Sequence, residues 1–63
     1  MQTNTHALLE EAHKQGRIGA RQLSALKRHA VAHSPEHIAK MVMSMEHLTF
    51  REAHKAAMQS VGV

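Results

Sequence analysis

His33-Ser34-Pro35-Glu36-His37-Ile38-Ala39-Lys40-Met41-Val42-Met43-Ser44-Met45 is the stretch that decides the architecture of this chain. Ser34 carries a short hydroxyl able to accept from a free amide at a helix start. Pro35 then occupies the first helical position, where its missing N–H is no loss. Glu36 meets the positive end of the helix dipole. Behind this cap, Ile38, Met41, Val42 and Met45 recur at helical spacing, and Leu48 extends the stripe. Met43 falls on the opposite side, so an exposed Met43 is expected, available as a pliable contact for a partner.

Working outward, the same periodicity recurs in both directions and no stretch alternates as a strand would. On the C-terminal side, Thr49-Phe50-Arg51-Glu52 has the form of a capping box, and Phe50, Ala53, Ala57 and Val61 share a face that Gly62 ends. Phe50, the single aromatic, is expected to dock on the methionine stripe. On the N-terminal side, Leu23, Leu26 and Ala30 mark one inward face. Gly16 and Gly19 bracket a turn, and Leu8, Leu9 and Ala12 mark an earlier helix capped by Thr5 or Asn4, with Glu10 four residues before Lys14. The pattern predicts an all-α fold, a single small domain over 1–63. Its four short helices run over roughly 5–15, 20–33, 35–47 and 49–60, paired as hairpins through tight turns.

Sixty-three residues without cysteine, tryptophan or tyrosine set the energetics. A chain this short buries only about 60% of its unfolded surface, and small domains usually need a staple. Disulfides are excluded. The sequence therefore predicts marginal stability, relieved by self-association, by a larger protein surface or by a metal. No apolar run approaches the roughly 18 residues of a membrane span, so no membrane association is expected.

Seven histidines are the chemical bias of the chain, and His29, His33 and His37 follow one another at intervals of four. Histidine titrates near neutrality and ligates metals. His29 and His33 have the spacing to share an ion, with His37 or His54 as a further ligand. Against this, Pro35 interrupts the helix between His33 and His37, no cysteine or aspartate completes a familiar set, and no His-Glu-x-x-His is present. From the residues, His29, His33, His37 and His54 read as a structural polar cluster at the helix junction, and neither metal nor cofactor is expected. Catalysis is not expected either. No nucleophile–base–acid set or glycine-rich phosphate loop is present, and a chain of this size hardly encloses a pocket.

Eight Lys/Arg against five Glu give +3, rising towards +10 if all seven histidines are protonated. Lys14, Arg17, Arg21, Lys27 and Arg28 approximate one basic face that can neutralise phosphates or meet acidic protein. No aromatics are available for stacking on single strands. This gives two expectations. The first is a non-enzymatic interaction protein using Met43, Arg17, Arg21 and Arg28 against a larger protein or a second copy. The alternative is a small nucleic-acid-associated protein using the basic face.

From the second helix onward the chain resembles a known group. Leu26-Lys27-x-His29, His33-Ser34-x-x-His37-Ile38-x-x-Met41, Leu48-Thr49-Phe50-x-x-Ala53-His54-x-x-Ala57 and Val61-Gly62 are similar to short basic histidine-rich proteins and tails of bacteriophages and other large DNA viruses, over residues 26–62. That resemblance implies a small structural component of a phage virion, associated with the capsid or the head–tail region. Its location would be the host cytoplasm during assembly and the virion afterwards, or simply the cytoplasm if the chain is not viral.

Overall fold

The computed structural model describes residues 5–63. Four α-helices follow one another: α1 Thr5–Lys14, α2 Ala20–His29, α3 Pro35–Ser44 and α4 Phe50–Ser60. No strand occurs among the described residues. Asn4, the alternative cap for α1, lies outside them.

Each start has a chemical cause. The Ser34 hydroxyl accepts from the His37 amide at 3.2 Å, with Pro35 opening α3. At α4 the capping box is complete: Glu52 N donates to Thr49 Oγ1 at 3.2 Å, and Thr49 N donates to Glu52 Oε1 at 2.9 Å. These bonds hold the Glu52 carboxyl below its ordinary pKa. Gly19 begins α2, its amide donating to Gln22 Oε1 at 2.7 Å. Gly16 stops α1 with a φ of +79°, a left-handed angle open to glycine at little cost.

The helices end earlier than the apolar spacing suggests. α2 stops at His29 rather than His33, and α3 at Ser44 rather than His47. In both cases the amide after the helix still bonds four residues back, Ala30 to Leu26 and Met45 to Met41, before the chain turns. Ala30 and Met45 keep the helical pattern alive in sequence while the backbone has already left it.

α3 packs on α4, and α1 packs on both α2 and α3. Leu9, Ala12, Ile18, Leu26, Ile38, Met41, Val42, Met45, Ala53 and Ala57 form the core, with Leu8, Leu23, Ala30 and Phe50 packed against it. Ile18 is a gain over the sequence reading, since it lies in the Gly16–Gly19 turn yet is buried. Leu48 and Val61 are exposed, not part of the inward faces. Phe50 is half-buried, and its ring meets His29 edge-on with centroids 5.6 Å apart. Glu10 pairs with Lys27 across the α1–α2 hairpin instead of with Lys14, and that contact lowers the Glu10 pKa.

Candidate metal centre

Four imidazoles meet where α2, α3 and α4 converge. His29 is the last residue of α2, His33 lies in the turn that follows, His37 is in the first turn of α3, and His54 stands on α4. Pro35, which breaks the continuous rail, does not separate the first three. The turn through Ala30–His33 folds the chain back, so that His33 stacks on His29 at 4.3 Å and on His37 at 4.0 Å. His54 meets all three at steep angles, with centroids 4.8, 5.2 and 5.1 Å away. The remaining pair, His29 and His37, is 5.9 Å apart.

The nitrogen atoms matter more than the rings. One nitrogen from each of the four histidines lies within 4.8 Å of the other three. His29 Nε2, His33 Nδ1 and His37 Nε2 are buried and have no hydrogen-bond partner. A buried acceptor left unpaired costs about 1–3 kcal/mol, so three converging ones are an anomaly unless something binds them.

The tautomer of His37 follows from its partner. Its Nδ1 lies 2.7 Å from the Gly62 carbonyl, which can only accept, so Nδ1 carries the proton. Nε2 is then a lone pair aimed into the cluster from a ring that is fully buried. Orientation of an imidazole by a backbone carbonyl through its far nitrogen is the usual arrangement around a metal-ligating histidine. Gly62 can present that carbonyl because its φ is +81°. The Val63 backbone acts on the neighbouring His33 ring, favouring its charged form. Val63 also accepts from the Ser34 amide at 2.7 Å. The segment after α4 thus braces the ligand shell from behind.

Electrostatics favour the neutral form of His29 and His33. Burial pushes the His29 pKa below its ordinary value, and His33, His54 and His37 add to the effect. His33 is lowered in the same way, by burial first and then by His37 and His54, while the Val63 backbone acts the other way. Neutral imidazole is the form that ligates a cation. Four nitrogens around one tetrahedral ion at about 2.0–2.1 Å stand about 3.3 Å apart. Here they lie within 4.8 Å of one another, with His33 stacked face to face on His29 and His37, so an ion must draw the nitrogens together and turn the His33 ring out of its stack.

His6, His13 and His47 stand apart from the cluster; His13 Nδ1 instead contacts the Ile18 carbonyl at 3.0 Å. Among the residues singled out for partner binding, Met43 is 60% exposed, while Met41 and Met45 are buried. It lines an open groove of about 460 Å³ between α1 and α3 with Leu8, Ala12, Val42 and Arg17. Arg21 and Arg28 are exposed elsewhere and do not line that groove. Lys27 is tied to Glu10, leaving Lys14, Arg17, Arg21 and Arg28 as the exposed basic residues of the predicted face. Among the described residues no helix is long and apolar enough to cross a membrane.

Sequence spacing raises a shared ion without favouring it, because nothing in it reveals that the turn after α2 reverses direction or that Gly62 supplies an acceptor for His37. No known protein family, no curated protein and no solved structure matches this chain.

Proposed function

We propose that this protein binds one transition-metal dication of the zinc class through His29, His33, His37 and His54. The observation that carries the reading is the convergence of buried ring nitrogens without partners. An all-imidazole set suits zinc, nickel or copper and excludes the oxygen-seeking calcium and magnesium. Four protein ligands complete a tetrahedral shell and leave no position for a reacting water, so the role is structural rather than catalytic. This reading goes beyond the metal-free polar cluster expected from the sequence because, besides the bond from His37 to the Gly62 carbonyl, ring nitrogens of His29, His33 and His37 are buried without partners.

Native mass spectrometry of the full chain with zinc sulfate tests it. One zinc per chain is expected, lost when His37 and His54 are both changed to Ala. Zinc retained by that double variant would place the binding elsewhere and end the proposal.

A second reading, a non-enzymatic interaction protein of a phage virion docking on a larger protein, draws support from exposed Met43 and the apolar groove it lines beside Arg17. Met43→Glu should abolish capture of virion proteins without changing thermal stability. Unaltered capture would remove the groove from consideration.

A further inference from the structure

We infer that the metal is the tie that docks α2 onto the α3–α4 hairpin, so that ion binding completes the fold and controls the order of one specific part of the chain. The inference rests on the metal reading above and goes beyond it by assigning the ion a conformational consequence.

Three observations carry it. First, the principal packing pairs are α3 with α4, α1 with α2, and α1 with α3; α2 has no comparably extensive contact with α3 or α4. Second, the far end of α2 reaches the hairpin through His29, whose ring meets His37, His54 and Phe50. Third, in the absence of a cation that junction holds three buried ring nitrogens without partners, an arrangement that opposes its own closure. A single ion reverses the sign of that junction. It satisfies all four nitrogens and cross-links residues 29 and 54, which lie on separate helices far apart in sequence.

The consequence is local. The α3–α4 interface has its own apolar contacts through Ile38, Met41, Ala53 and Ala57, and both of its helices start at a hydroxyl cap, Ser34 and Thr49. It needs the ion least. The C-terminal half of α2, the turn through Ala30–His33, and the Gly62–Val63 segment whose carbonyls meet His37 and the Ser34 amide need it most. Metal binding that builds a folded site from a partly ordered one is established behaviour for small metal-stapled domains. Here the topology selects which segment responds.

Amide hydrogen exchange on the full chain, chelator-treated and with one equivalent of zinc sulfate, provides the test, with calorimetry run in parallel to establish that zinc binds. Zinc should raise protection of Leu26–His33 and of Gly62–Val63 at least tenfold, while Met41 and Ala57 change far less. His29→Gln should still bind zinc through the other three histidines, more weakly. It should lose the gain at Leu26–His33 and keep part of the gain at Gly62–Val63. Calorimetric binding with the same exchange pattern in both states would overturn this inference and leave the metal site standing. A uniform gain over all four helices would overturn it as well, because the ion would then act on the fold as a whole. No calorimetric binding would remove the metal reading and this consequence together.

Discussion

Gly62 turns its carbonyl towards His37 from a left-handed backbone angle that costs other residues roughly 1–2 kcal/mol. Gly16 has nearly the same angle, 79° against 81°, but lies in the turn after α1, apart from the histidines. The pair separates backbone strain from metal support. Gly16→Ala and Gly62→Ala should each cost about 1–2 kcal/mol of stability, read from thermal melts. Only Gly62→Ala should also weaken zinc, by about 10–100-fold, because the acceptor that orients His37 moves. Equal zinc affinity in the two variants would mean that the Gly62 carbonyl does not support the site. Burial makes a second residue-scale distinction. Met41 is fully buried between α3 and its neighbours, while Phe50 is half-buried at the edge. Met41→Ala should therefore cost about 2–5 kcal/mol, more than Phe50→Ala, despite the larger ring. A greater loss for Phe50→Ala in denaturant titrations would return the weight of the core to the aromatic, as the sequence suggested.

At the scale of the elements, Ser34 serves two purposes, because the amide it caps belongs to His37. Ser34→Ala should cost about 0.5–2 kcal/mol, the usual range for a lost cap, and should also loosen a metal ligand. Thr49→Ala removes a comparable cap from α4, whose partner Glu52 is exposed and not one of the clustered residues. Zinc affinity should fall for the first and hold for the second; competition against a chromophoric chelator reads both. These two helix starts were legible in the sequence, since a cap is a local side-chain event written into two to four residues. The ends of α2 and α3 were not. Neither has a glycine such as the one that stops α1, and Ala30 and Met45 continue the apolar pattern past the last helical turn. The Glu10–Lys27 pair was hidden for a different reason: it joins two helices, and local spacing offered Lys14 first.

For the whole molecule, His29 and His33, disfavoured as cations by burial and by the neighbouring histidines, make folding depend on pH. His29 and His33 have folded pKa values below their ordinary 6.5, and the cluster that faces them adds only His37 and His54, with no carboxylate. The sign follows directly. The unfolded chain takes up protons near 6.5 while the folded chain resists them, so stability is full above that value and is lost as pH falls through it towards the lower folded values. Metal-free protein should show a melting temperature flat above about pH 7 and declining below about 6.5. A profile level down to pH 5 would mean that the rings are solvated in solution. The sequence made the four histidines visible as a group, but it left two readings open, because a neutral polar cluster and a ligand shell use the same residues. They differ in where the nitrogens point, and that depends on the reversal after α2 and on the Gly62 carbonyl, which only the folded chain brings together.

Those nitrogens are also where the account is most exposed. Long-range proton–nitrogen correlation spectra of the imidazole rings, recorded before and after one equivalent of zinc, identify each ring nitrogen by its protonation or its metal bond. His29 Nε2, His33 Nδ1, His37 Nε2 and one nitrogen of His54 should take metal-bound shifts together at a one-to-one end point, while His6, His13 and His47 stay unchanged. Small, unsaturated shifts spread over all seven histidines, or binding through His37 Nδ1, would contradict a metal centre at this junction.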